Sequence, residues 1–175
     1  MIGKQVPGTP LEAYVPSERE AQQVSLADYR GSWVVLFFYP RDFTFICPTE
    51  LEAFGGLEES FAREDAVVVA ASTDSYWSHK AWFETHPALA NVRYPVLADT
   101  AHTLSDAFGV LLEDGSALRG TFVIDPEGVV RSVSVVDQSV GRSPEETLRI
   151  VQALRTGELC PVNWRPGQAT LRLVA

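Results

Sequence analysis

Apolar positions follow two rhythms along this chain, and the switches between them mark its elements. Trp33-Val34-Val35-Leu36-Phe37-Phe38 is an unbroken β-branched and aromatic run, the mark of a strand covered on both faces. From Pro48 to Glu64 the spacing changes. Leu51, Phe54, Leu57 and Phe61 recur every three or four residues, which predicts a helix. The pair Gly55-Gly56 weakens it by about 1 kcal/mol per glycine relative to alanine. Val67 to Ala71 reads as a second buried strand, Ser75 to Glu84 as a helix ending near Pro87, Tyr94 to Leu97 as a short strand and Thr103 to Phe108 as a short helix. Strands over Ala117 to Ile124 and Val129 to Val136 flank Asp125-Pro126-Glu127-Gly128, a sequence with proline and glycine where turns favour them. Ser143-Pro144-Glu145-Glu146 opens a last helix with Ser143 as N-cap, Pro144 as first helical residue and Glu146 placed for a capping box. Gly157 stops that helix.

The resulting order, β-α-β-α-β-α-β-β-α, describes an α/β protein with a central mixed sheet flanked by helices. A thioredoxin-like layout fits it. One domain is expected over residues 1–157. Residues 158–175 hold two prolines and little periodicity and read as an extended C-terminal tail of the same unit. A chain of 175 residues suffices for one substantial core and not for two ordinary ones.

Composition narrows the function classes. The net charge of −9 disfavours nucleic acid, whose phosphates call for Lys and Arg, and anionic membranes. The first residues contain no apolar run of signal-peptide length, and Trp33 to Tyr39 is too short to cross a bilayer, so a cytoplasmic protein is expected. The only cysteines are Cys47 and Cys160. In that compartment they read as a reactive or a buried pair rather than a static disulfide. No Cys-x-x-Cys occurs, and His79, His86 and His102 lie far from either cysteine in sequence, so no spacing supports a metal site.

Cys47 falls between a strand and a helix and is followed by Pro48, which favours a first helical position. The sulfur is therefore expected at a helix N-terminus, where free amides and the dipole favour an anion. A thiol titrating near 8.5 is only about 3% thiolate at pH 7, and making it mostly thiolate needs roughly 3.4 kcal/mol of differential stabilisation. A helix end supplies at most about 2 kcal/mol. A cation must supply the rest, and Arg41, Arg119 and Arg142 are all candidates. Thr44, three residues before Cys47, places a hydroxyl within reach of the sulfur. The plainer alternative is a small buried hydrophobe at a helix start.

Read together, Pro40-Arg41-Asp42-Phe43-Thr44-Phe45-Ile46-Cys47-Pro48-Thr49-Glu50 resembles the active-site segment of peroxiredoxins, whose pattern Pro-x-x-x-Thr/Ser-x-x-Cys is met by Pro40, Thr44 and Cys47. The match through Cys-Pro-Thr-Glu is similar to the typical two-cysteine group that includes the C component of alkyl hydroperoxide reductase. Ser72-Thr73-Asp74 with Ser78-His79-Lys80-Ala81-Trp82, Leu118 to Pro126, and Gly157 to Trp164 resemble further segments of that group, in the same order. The resemblance implies that Cys47 is the peroxidatic and Cys160 the resolving cysteine. It makes Arg119 the cation at the sulfur, Pro40 a shield over it, Thr44 the hydroxyl that positions the O–O bond, and Glu50 the partner that holds arginine.

The implied reaction is thiolate attack on a hydroperoxide, giving water or an alcohol and a Cys47 sulfenic acid, with no metal or organic cofactor. The sulfenic acid then condenses with Cys160 of a second protomer, and a dithiol protein, thioredoxin-like or a dedicated flavoprotein reductase, recycles the disulfide. A disulfide needs Cα atoms roughly 4.4–6.8 Å apart, so the first turn of the Cys47 helix and the tail are expected to open locally. The family forms homodimers and, through regions matching Phe43, Ser75, Tyr76 and Trp77, rings of ten. Trp82 and Phe83 are candidates to line the site or simply to pack the core. Around Leu111 to Gly115 the chain lacks the Gly-Gly-Leu-Gly loop of oxidation-sensitive relatives, and it ends at Leu173-Val174-Ala175 without their Tyr-Phe. Both departures imply resistance to over-oxidation. Two competing functions are a thiol–disulfide oxidoreductase, disfavoured by the missing Cys-x-x-Cys, and a ring-forming holdase chaperone.

Overall fold

The computed structural model describes residues 1–171. Seven strands form one sheet: β1 (Leu11–Val15), β2 (Glu20–Val24), β3 (Trp33–Phe38), β4 (Ala66–Ser72), β5 (Val96–Ala98), β6 (Arg119–Ile124) and β7 (Val130–Val136). Their spatial order is β2-β1-β5-β4-β3-β6-β7. The centre, β5-β4-β3, is parallel, and antiparallel strands complete both sides. This is the mixed sheet of a thioredoxin-like α/β fold.

The continuous apolar runs of β3 and β4 have the predicted cause: both faces are covered. Val35 and Phe37 of β3 point into one core layer with Leu51, Phe54, Phe61, Trp82 and Val151. Val34, Leu36 and Phe38 point into the other, with Leu104, Phe108 and Phe122. The first layer lies under α1 (Cys47–Gly56), α2 (Glu58–Ala62), α3 (Tyr76–Thr85) and α5 (Pro144–Arg155), and α4 (Thr103–Ala107) lies over the second. Phe37 stacks on Phe54 with centroids 4.2 Å apart, fastening α1 to the sheet beside Cys47. Each such buried aromatic contributes about 1.5–3 kcal/mol by removal from water.

The helix expected over Pro48 to Glu64 is two helices. α1 ends after Gly55-Gly56, and Leu57 leaves helical geometry at φ −103°, ψ 4°. Gly55 packs beside Val92, where a Cβ would stand at an ordinary contact distance of 3.4 Å from Cγ2, so the break follows the weak Gly55-Gly56 pair rather than a clash. The β1–β2 hairpin has no forerunner in the apolar pattern. β2 is Glu-Ala-Gln-Gln-Val, exposed except at half-buried Gln22 and buried Val24, and forms a strand through its pairing with β1 rather than through a pattern of its own. At α5, Ser143 accepts from the Glu146 amide at 3.2 Å. The Glu146 carboxylate bonds Arg149 instead of returning to the cap, so only half of the capping box forms.

After α5 the tail carries no helix or strand among the described residues, yet it is folded back on itself. The Leu171 amide donates to the Leu159 carbonyl at 2.8 Å, and Trp164 is buried between them in sequence. Leu173, Val174 and Ala175, which carried the expectation about the missing Tyr-Phe, lie outside the described residues. Among the described residues no helix is long and apolar enough to cross a membrane.

Candidate active site

Three neighbouring pieces of the fold converge at the C-terminal end of β3. The chain leaves β3 through Tyr39 and Pro40, crosses a loop to Ile46 and enters α1 at Cys47, its first helical residue. Phe43 in that loop has φ +55°, a left-handed conformation that costs a non-glycine residue about 1–2 kcal/mol and directs its ring outward. Ile46 offers no side-chain cap; Pro48 has no N–H, and the Thr49 and Glu50 amides donate to the Ile46 carbonyl, so the Cys47 amide is the first-turn donor that faces an anion.

Cys47 is completely buried and is a free thiol. β6, antiparallel to β3, begins with Arg119, whose Nη1 donates to Cys47 Sγ at 3.4 Å and to Glu50 Oε2 at 2.5 Å. Arg119 Nε donates to the Gln138 carbonyl at 2.8 Å, fixing the plane of the guanidinium. Glu50, one turn along α1, is gripped again by Arg142, which donates to Oε1 from Nε at 2.8 Å and from its backbone amide at 2.9 Å, and to Oε2 from Nη2 at 2.9 Å. Arg142 Nη1 spans to the Phe38 carbonyl at 2.7 Å and the Gly120 carbonyl at 3.0 Å, tying β3, β6 and the segment before α5 together. Of the three cations left open by sequence, Arg119 meets the sulfur and Arg142 holds Glu50. Arg41 instead reaches the Asp114 carbonyl at 3.1 Å on the surface.

The Glu50 carboxylate is buried yet paired on both oxygens, with Arg119 and with Arg142, and removing one partner of such a buried pair costs several kcal/mol. Burial acts to raise the Glu50 carboxyl, but the Arg142 hydrogen bonds and the charges of Arg142 and Arg119 outweigh it and hold the group below its ordinary value.

Thr44 stands in the loop as expected, half-buried, with its hydroxyl donating to the Arg41 carbonyl at 2.9 Å. Its proton is thereby committed, and Oγ1 is left as an acceptor. Pro40 is buried at the head of the loop. Cys160 is half-buried at the far end of α5, where Sγ donates toward the Ala153 carbonyl at 3.6 Å. The two cysteines are thus free of each other, Cys47 held by Arg119 of β6 and Cys160 by the end of α5.

The AhpC/TSA family profile matches residues 2–133, and that of the C-terminal domain of 1-Cys peroxiredoxin matches residues 153–172. The chain is 49% identical over 98% of its length to peroxiredoxin prdx-2 of Caenorhabditis elegans, covering 88% of that protein. It is 44% identical, again over 98%, to a thioredoxin peroxidase of Echinococcus granulosus, covering 92% of it. The chain belongs to the AhpC/TSA family of peroxiredoxins. Its structure superposes on the reduced 2-Cys peroxiredoxin of Plasmodium vivax with TM-score 0.93 at 32% identity, over 98% of this chain and 92% of that one.

This peroxiredoxin is a thiol-dependent peroxidase of the two-cysteine, AhpC-like kind. Although its tail matches a profile described for one-cysteine proteins, the matched segment contains Cys160. Beneath the peroxiredoxin loop lies a buried polar network that sequence reasoning missed. The Tyr39 hydroxyl donates to Asp42 Oδ1 at 2.7 Å, and His79 Nδ1 lies 2.8 Å from Asp42 Oδ2. The Asp42 amide donates to Asp74 Oδ2 at 2.9 Å. Burial, then the Asp42 charge and hydrogen bond, push the Tyr39 phenol well above its ordinary value, so it stays a donor. The sequence shows Asp42, Asp74 and His79 only within separate matching segments, and no local signal pairs residues 32 and 37 positions apart. Trp82, completely buried, packs against Phe43 at 5.8 Å between centroids and against Tyr39 at 6.2 Å. It therefore supports the loop from below, while Phe83 packs against Tyr14.

Proposed function

We propose that Cys47 attacks the terminal oxygen of hydrogen peroxide or an organic hydroperoxide as a thiolate and becomes a sulfenic acid, releasing water or an alcohol. The observation that carries this is one arginine nitrogen, Arg119 Nη1, shared between Cys47 Sγ at 3.4 Å and Glu50 Oε2 at 2.5 Å. Charge moves from sulfur to the leaving oxygen during attack, and a fixed donor beside the sulfur stabilises both ends of that displacement. Thr44 Oγ1, its own proton committed to Arg41, accepts the proton of the incoming hydroperoxide and aligns the O–O bond. Pro40 shields the sulfur from bulk water, and Glu50, fixed by Arg142, keeps Arg119 on station.

In the same reading Cys160 resolves the sulfenic acid across a homodimer, and residues from 158 onward act as a detachable tail. A dithiol reductant recycles the disulfide; the thioredoxin peroxidase among the relatives favours a thioredoxin-like one. The N-terminal segment covers the start of β7 at Val129 and Val130, no described strand pairs the rest of its outer edge, and an edge of that kind invites a second copy. Phe43, Phe45 and Trp77 expose 61%, 95% and 73% of their surface, an apolar area suited to joining dimers into a ring of ten in the cytoplasm. Stopped-flow mixing of reduced protein with hydrogen peroxide and with cumene hydroperoxide tests the reaction. Rapid single-turnover oxidation lost in Cys47→Ser supports it, and turnover retained in Cys47→Ser rejects it. On a non-reducing gel, oxidised protein at monomer mass alone rejects the bond between protomers.

A further inference from the structure

The end of α5 holds Cys160 by contacts with a definite hydrogen-bond polarity. The Thr156 hydroxyl donates to the Ala153 carbonyl at 2.8 Å and accepts from the Glu158 amide at 3.0 Å. Its oxygen lies 3.5 Å from Cys160 Sγ, which also lies 3.6 Å from the same Ala153 carbonyl. With the hydroxyl proton given to Ala153, both polar neighbours of the sulfur present lone pairs. Both accept from the Cys160 S–H, so the sulfur is held on the end of α5 by donating. Gly157, at φ +65°, turns the chain back so that residue 160 falls over residues 153 and 156. A second anchor holds the same tail: Arg149 Nη1 donates to the Trp164 carbonyl at 3.1 Å, and Trp164 Nε1 donates to the Gln168 carbonyl at 3.0 Å.

We propose that Thr156 is a positioning residue for the resolving half of the cycle, latching Cys160 on the end of α5 so that release of this latch sets the rate of disulfide formation. The proposal rests on the reading of Cys160 as the resolving cysteine. In the step itself the Cys160 thiol gives up its proton and its sulfur attacks the Cys47 sulfenyl sulfur. The S–S bond forms as the S–O bond breaks, and the hydroxyl leaves with that proton as water. While the latch is closed the sulfenic acid waits, and a second peroxide converts it to sulfinic acid. Thr156 therefore also sets the peroxide concentration at which the enzyme inactivates itself.

The experiment mixes reduced protein with one equivalent of hydrogen peroxide, quenches at intervals and measures sulfenic acid and disulfide by intact mass. In Thr156→Val and Thr156→Ala, disulfide formation is expected to accelerate about 2- to 10-fold, the worth of one hydrogen bond. Thr156→Ser, which restores the hydroxyl, returns to the parent rate, and Arg149→Met accelerates the same step by freeing the second anchor. The first oxidation of Cys47 keeps its parent rate in all four, and the peroxide concentration giving half sulfinic acid rises by the same factor as the resolving rate. Unchanged or slower disulfide formation in both Thr156→Val and Thr156→Ala overturns the latch, as does Thr156→Ser behaving like Thr156→Ala. A Cys160→Ser protein that forms its disulfide as fast as the parent rejects the reading of Cys160 itself, independently of Thr156.

Discussion

In the proposed reaction Arg119 carries the largest share of the chemistry at the scale of single side chains, because it alone among the described residues donates to both the sulfur and the Glu50 carboxylate. Arg119→Gln is expected to lower the second-order rate constant for peroxide by about 10²–10³, the usual effect of removing one preorganised donor, in a stopped-flow measurement under one turnover. Glu50 sets an acid limit. Its carboxyl is held below the ordinary value in the folded state, so its stabilisation is complete above the unfolded value near 4.3 and is lost as pH falls through the folded value. Thermal unfolding followed from pH 6 to pH 3 is expected to show a decline at the acid end that is smaller in Glu50→Gln, whose midpoint is lower at pH 7. The sequence named Cys47, Thr44, Arg119 and Glu50 through one local motif and one strand. It left the roles of Arg41 and Arg142 undivided, since which guanidinium meets sulfur depends on the pairing of β3 with β6.

Elements were legible in proportion to how far their own pattern, and not a partner's, determined them. β3 and β4 carry their burial in composition and were read nearly to the residue. β2 carries none, and only the β1 edge makes it a strand. The helix after Cys47 was read too long because two glycines weaken a helix without saying where it stops, and the chain leaves helical geometry at Leu57. α5 was read closely from its cap. Ser143→Ala removes the acceptor for the Glu146 amide and is expected to cost about 1 kcal/mol, checked by urea unfolding. Because the cap immediately follows Arg142, the same change is also expected to slow peroxide reduction modestly through the slackened Glu50 contact. A normal rate in a destabilised Ser143→Ala protein separates the helix from the site.

For the molecule as a whole, the exposed Phe43 and Trp77 are the residues on which the proposed ring contact is tested. Trp77→Arg places a charge on the proposed ring contact and is expected to leave a dimer by sedimentation velocity under reducing conditions, with the fold intact, because Trp77 is mostly outside the core. A ring that survives this change places the contact elsewhere. The cluster around the sulfur has one more consequence. Its members come from positions 47, 50, 119 and 142, so a ribosome must deliver four-fifths of the polypeptide before the last guanidinium can close on the carboxylate. Until then the nascent cysteine lacks its full electrostatic setting, and avid consumption of oxidant becomes a signature of completed folding, readable in a translation extract chain length by chain length.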